Sequence, residues 1–194
     1  MIKVPSNKAD KIKSAVLKTV GEIGVAGLTM KKIALEAEIS PGTLYIYYTS
    51  KDQMVNQLYL ELKEQLATVA FEGIDSTISI PFEVNFKIAF LNIYHYLATH
   101  PSEQVFLQQG YRSPFVTEET KKAAEVYYSP LISMVENAQQ QGVITPIMPA
   151  SMLLAFINGV LQEAAQACLM LPVQDQNTVG EGAFAFCWNA IKSQ

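Results

Sequence analysis

Between Leu28 and Lys51 the chain sets out hydroxyls, ammonium groups and one bare backbone position in an order that suits phosphate chemistry. Thr29 precedes a short apolar-periodic segment. Its hydroxyl can cap a helix whose first amides hold a phosphate oxygen. Lys31 and Lys32 add positive charge close by. Ser40, Pro41, Gly42 and Thr43 open a second short segment. Ser40 suits the cap, Pro41 the first helical position, and Gly42 leaves the backbone bare. A recognition helix approaches a groove in this way, with its positive dipole end leading. Tyr45 and Tyr47 carry hydroxyls that can reach phosphates or base edges, whereas Tyr48 is expected in the core. Lys51 falls in the first turn of the next helix, where ammonium and helix dipole both favour a phosphate.

No other constellation suggests catalysis or metal binding. The chain has two histidines and two cysteines, in unrelated surroundings. His95 lies in an apolar segment and reads as a hydrogen-bonded core or pocket histidine. His100, before Pro101, reads as a helix C-terminal residue. Cys168 and Cys187 read as buried thiols, neither a disulfide framework nor a zinc site, which fits a reducing cytoplasm. Arg112 is expected to tie down the 111–114 turn. GxSxG, HExxH and glycine-rich phosphate loops are missing from the sequence. The expectation is no catalytic residue, no metal, no cofactor and no enzyme.

The elements that must position these residues read as helix after helix. Residues 8–23 carry Ile12, Ala15, Val16, Val20 and Ile23 on one stripe, ended by Gly24 and Gly27. Two short helices follow, Thr29 to Ala37 and Ser40 to about Tyr47, with only Glu38 and Ile39 between them. Leu28 with Ile33, and Ile39 with Leu44, make hydrophobic staples. Together these elements read as a helix-turn-helix unit. Ser50 and Gln53 form a capping box for a helix reaching about Phe71, with Met54, Leu58, Leu62, Leu66 and Val69 on its apolar stripe. Residues 73–81 read as a loop. Residues 82–99 are apolar nearly all round and belong in a core. Helices are expected at 102–110 and 117–141, the latter kinked or restarted at Ser129-Pro130, then at 150–171 and 176–192.

The fold class is therefore all-α. An N-terminal helix-turn-helix three-helix head, residues 1–50, joins a larger helical dimerisation body, residues 51–194. Charge agrees with two jobs. Residues 1–51 hold eight lysines against four acids, while the remainder holds six basic residues against fourteen acids. The N-terminus shows no apolar run of a secretory signal. The most apolar stretch, 152–172, is interrupted by Asn158, Gln162, Glu163 and Gln166, so no membrane span is expected. The last two helices combine small residues with Phe156, Leu161, Phe184, Phe186 and Trp188. That is more apolar surface than so small a body covers, and a second copy is the expected cover.

The stretch LTMKKIALEAEISPGTLYIYYTSKDQM resembles the DNA-binding signature of the TetR family of bacterial transcription regulators. The matching elements are Leu28-Thr29, Ile33-Ala34, Ala37, Ile39-Ser40, Gly42 to Tyr45, Tyr47-Tyr48 and Ser50-Lys51. The resemblance implies a homodimer that binds a palindromic double-stranded DNA operator and represses. It also implies a small-molecule inducer, bound among the helices of residues 82–171, that releases the DNA. Carried over by residue, Thr29, Tyr45, Tyr47 and Lys51 contact phosphates, with Lys31 adding charge and Ser40 capping. Pro41, Gly42 and Thr43 face base edges, and Ile33 and Leu44 are core. Phe86, Phe90, Tyr94, Phe106, Tyr127 and Phe156 are the pocket candidates, a lining suited to an apolar or aromatic inducer.

Three departures stand out. Glu38 occupies a turn position where many members have glycine. Ile46 stands where an aromatic is frequent. No arginine precedes Arg112, so the head lacks the commonest bidentate guanine contact. Readout is expected through lysine, threonine and the thymine methyl, with much of the specificity in DNA shape. The alternative readings are a helical protein-interaction module and, further off, a small-molecule enzyme on a helical body.

Overall fold

The computed structural model describes residues 8–74 and 80–193. Its helices are α1 (Lys8–Ile23), α2 (Met30–Glu36), α3 (Pro41–Tyr47), α4 (Lys51–Ala70), α5 (Phe82–Thr99), α6 (Pro101–Arg112), α7 (Glu118–Gln140), α8 (Ala150–Cys168) and α9 (Val173–Ile191), with a 3-10 turn at Val25–Gly27. The described residues form no strand beyond one isolated bridge, Ile144 with Lys192. The fold is all-α, and among the described residues no helix is long and apolar enough to cross a membrane.

Several expected boundaries shift. α6 begins at Pro101, where a proline costs nothing because the first N–H has no helical acceptor. α8 stops at Cys168 rather than 171, and α9 starts at Val173 rather than 176. Pro172 has extended backbone (φ −55°, ψ 143°) and both blocks continuation and opens the next helix. Of the loop expected at 73–81, residues 75–79 lie outside the described residues. Gly73 takes a left-handed φ of 76°.

Of the kink or restart expected at Ser129-Pro130, the restart does not occur. α7 runs through Pro130 as one helix. Proline removes the N–H that would bond the carbonyl four residues back, at Val126. Ser129 Oγ donates to that same carbonyl at 2.8 Å. The neighbouring side chain thus supplies the donor that the ring deletes.

By packing, the residues fall into two compact units: Met1–Lys63 with Ser102–Ala124, and Glu64–Pro101 with Glu125–Gln194. A cut after residue 50 separates sequence roles, whereas packing joins α6 and the start of α7 to the helix-turn-helix. In the first unit Ile12, Val16, Val20, Leu28, Ile33, Leu44, Met54, Leu62 and Phe106 are buried. α6 is fastened there by polar contacts. Lys13 Nζ lies 3.2 Å from Glu103 Oε1, and the Val25 N–H donates to Gln109 Oε1 at 3.1 Å. Gly110 brings α6 close to α4, since a Cβ there would sit 3.3 Å from the Tyr59 ring and from Val116.

The second unit is built on aromatic contact. Phe86 stacks on Phe82 at 5.4 Å, and Phe90 meets Phe184 edge-on at 5.8 Å. Tyr94 is fully buried and donates its hydroxyl to the Gln176 carbonyl at 2.6 Å. Its ring lies against α9 at Gly180, where an added Cβ would come within 2.6 Å of it. His95 departs from the core or pocket reading. It is exposed, one turn face away from Tyr94, with Nε2 at 3.2 Å from Asn177 Oδ1. Helical rotation of 100° per residue puts neighbours on different faces, so an apolar segment does not bury every position. His100 ends α5 and stacks on Tyr96 at 4.2 Å. Cys168 and Cys187 are both buried free thiols.

Candidate nucleic-acid interface

The helix-turn-helix is set by local hydrogen bonds. Thr29 caps α2, its hydroxyl accepting from the Lys32 N–H at 3.2 Å. Ser40 caps α3, its Oγ accepting from the Thr43 N–H at 3.1 Å and lying 2.9 Å from Thr43 Oγ1. Between them the chain reverses at Glu38, a non-glycine residue with φ 55°. The Ile39 N–H reaches back to the Ala34 carbonyl at 3.0 Å, and the Glu38 N–H to the Leu35 carbonyl at 3.1 Å. This is the Schellman pairing, which requires a left-handed residue where Glu38 stands. The strain expected from the missing glycine is present in the backbone.

Leu28, Ile33 and Leu44 are buried as expected, and so is Tyr48, whose hydroxyl pKa is raised by burial first and then by the charge of Glu61. Facing outward are Thr29, Lys31, Ser40, Pro41 and Gly42, with Thr43 half-buried. Tyr45 and Tyr47 are 53% and 42% exposed, and Ile46 is 82% exposed. Large apolar surface on so short a helix has no use in the isolated chain. Gly42 is bare without an internal reason. A Cβ there would meet Ser40 Oγ at 3.8 Å and no other tertiary neighbour. The small residue leaves room on the outside of α3. Lys18 Nζ pairs with Glu36 Oε1 at 2.7 Å, linking α1 to α2. That hydrogen bond and the carboxylate charge raise the Lys18 pKa.

The capping box at Ser50 forms with a change of partner. Ser50 Oγ accepts from the Gln53 N–H at 3.1 Å, but Gln53 Oε1 accepts from the N–H of Thr49 at 2.6 Å, not that of Ser50. Lys51 is half-buried. Its ammonium lies 3.8 Å over the Phe115 ring and donates to the Ala26 carbonyl at 3.3 Å. Asn56 holds that turn. Its Nδ2 donates to the Phe115 carbonyl at 2.8 Å, and its Oδ1 accepts from the Thr117 N–H at 2.9 Å. Phe115, Asn56 and Gln109 were invisible as partners in the sequence, because each works across 59 residues or more. Arg112 is exposed, and the turn it was expected to secure is closed by Ser113, whose Oγ donates to the Gly110 carbonyl at 3.1 Å.

The pocket candidates are divided between the two units. Phe86, Phe90 and Tyr94 are packed in the second unit, where Tyr127 is half-buried. Phe106 is fully buried in the first unit. Phe156 is 64% exposed on α8, on the side that leaves the core. Grooves on α8 and α9 are lined by Phe156 with Ala155, Gly159 and Ala164, and by Phe156 with Leu153, Phe186 and Ile191. Among the described residues no cluster of three metal-ligating side chains occurs.

The profile described as "Bacterial regulatory proteins, tetR family" matches residues 13–58, which run from α1 through the capped helix pair into α4. Over those residues the chain is similar to the DNA-binding part of the TetR family. An uncharacterized helix-turn-helix transcriptional regulator of Mycobacterium tuberculosis is 30% identical to it over 81 residues, 42% of this chain. The aligned part spans 36% of that relative's length. Two solved TetR-family structures share the fold over nearly the whole chain. That from Shewanella sp. PV-4 has a TM-score of 0.84 at 22% identity, covering 97% of this chain and 100% of its own. That from Marinobacter aquaeolei VT8 has 0.85 at 23%, covering 96% of each. The matched residues include the helix pair α2 and α3, so the likeness to transcription regulators falls on the helix-turn-helix.

Proposed function

We propose that this chain is a ligand-responsive, sequence-specific transcription regulator, a homodimeric repressor that a small apolar or aromatic inducer releases from a palindromic operator. The observation that carries the DNA-binding part is the outward row on α2 and α3. Thr29 and Lys31 offer phosphate contacts at the start of α2. Pro41, Gly42 and Thr43 offer base-edge contacts at the start of α3, and Tyr45 and Tyr47 offer hydroxyls beside them. Bare Gly42 supports close approach, since no neighbour inside the protein demands a glycine there.

A second copy covers α8 and α9 in this reading. Met152, Phe156 and Phe186 are more than half exposed there, beside small residues that let helices approach. A two-fold pair places two heads on successive major-groove faces, about 34–36 Å apart. An inducer acts by binding more tightly to the state whose heads miss that spacing.

Binding of the purified protein to duplex DNA, across a salt series and with stoichiometry, tests the reading. Two protomers per palindrome and a steep fall of affinity with salt support it. A chain that selects no duplex from a random pool is instead a protein-interaction module.

A further inference from the structure

We propose that Phe115 is a positioning residue for DNA binding: its ring face, together with the Ala26 carbonyl, holds the Lys51 ammonium ready for a backbone phosphate. The inference rests on the DNA-binding reading above and adds to it a residue outside the helix-turn-helix. The geometry is specific. Lys51 Nζ sits 3.8 Å from the Phe115 ring centroid, within the range of a strong cation–π contact, and 3.3 Å from the Ala26 oxygen. Phe115 is not a chance neighbour, because Asn56 clamps its turn at both sides, at the Phe115 carbonyl and the Thr117 N–H. Asn56 lies five residues after Lys51 on the same helix, so lysine and ring are both referenced to α4.

Three properties make this positioning rather than sequestration. An ammonium has three donors, and the carbonyl takes one, leaving the others for phosphate oxygens. The ring contributes no acceptor that competes with an anion. A lysine carries about 2 kcal/mol of rotamer entropy, and restraining it beforehand reduces what binding must lose. Ala26 lies three residues before Thr29, so the held ammonium is tied to the segment leading into α2. The 113–117 turn thereby reaches the DNA-binding surface through one side chain.

The test uses the full chain and a duplex that it recovers from a random pool. Phe115→Leu is expected to weaken binding about two- to fivefold at low salt, the size of an exposed cation–π contact. Phe115→Tyr, which keeps the ring, is expected to bind like the original protein. Lys51→Ala is expected to reduce the salt slope by about one phosphate. In that background Phe115→Leu is expected to have no further effect. In the free protein, the Lys51 ε-methylene protons should show an upfield ring-current shift in NMR spectra, kept in Phe115→Tyr and lost in Phe115→Leu. Thermal melting checks folding, with Phe115→Met as a second ringless variant. Unchanged or tighter binding by both ringless variants overturns the proposal alone, as does an equal loss with and without Lys51. If the original chain recovers no duplex, the DNA-binding reading falls and takes this proposal with it.

Discussion

Ser129 donates its hydroxyl to the Val126 carbonyl at 2.8 Å, the acceptor that Pro130 leaves without its usual helical donor. The two residues are therefore coupled. Ser129→Ala should lower stability by about 0.5–1 kcal/mol, the net value of a partly solvated hydrogen bond. Pro130→Ala restores the N–H, and in its presence the serine change should cost little. Denaturant midpoints of the four proteins in the cycle measure the coupling. Additive effects would show that the hydroxyl does not replace the missing donor.

Gly180 lets α9 approach α5 closely at the Tyr94 ring. Gly180→Ala places a methyl within 2.6 Å of a ring that is fully buried and anchored through its hydroxyl to Gln176. The expected loss is about 1–3 kcal/mol, the range for overpacking a rigid site. A helix-propensity gain of up to about 1 kcal/mol works against it, so the clash must exceed that to appear. An unchanged or raised melting temperature would mean the ring moves aside freely.

Gly42→Ala separates folding from binding. Inside the protein the methyl meets nothing closer than Ser40 Oγ at 3.8 Å. The variant should be as stable as the original or more so, by up to about 1 kcal/mol. Its affinity for DNA should nevertheless fall, by roughly tenfold for each 1.4 kcal/mol of lost or strained contact. Equal affinity would place the α3 backbone away from the nucleic acid.

Glu38→Gly should relieve the φ 55° turn and raise stability by about 0.5–1 kcal/mol. It also removes an acid from the head, which should strengthen non-specific DNA binding at low salt. Thermal melting and binding to a random duplex read the two effects separately.

Burial pushes the Cys187 thiol up from 9.0 to about 11. A raised thiol pKa favours folding fully below the unfolded value and loses that advantage as pH rises through the folded one. Between pH 9 and 11 the difference should cost up to about 2–3 kcal/mol. Cys187→Ala should carry its cavity penalty at pH 8 and close the gap to the original protein as the pH approaches 11. A gap that stays constant across that range would mean the thiol titrates normally.

Local order was legible because it is made within a few residues. The caps at Thr29 and Ser40, the reversal at Glu38 and the start of α4 at Ser50 each depend on bonds spanning three to five positions. The types of side chain therefore announced them, and so did the outward row that the family signature shares. Apolar stripes likewise set which helix faces turn inward, down to Ile33, Leu44 and Tyr48.

Tertiary structure decided what needed partners far apart in the chain. Lys51 read as a free phosphate contact until Phe115 came to lie under it, 64 positions away. His95 looked buried from its neighbours in sequence and is exposed, while Phe156 looked like pocket lining and faces outward on α8. α6 reads in sequence as the body's helix, yet Glu103 and Gln109 bind it to α1 and to the turn after α1. Period and capping specify a helix and its apolar side. Which second helix meets that side depends on shape and polar matching between distant segments, and no local pattern carries that information.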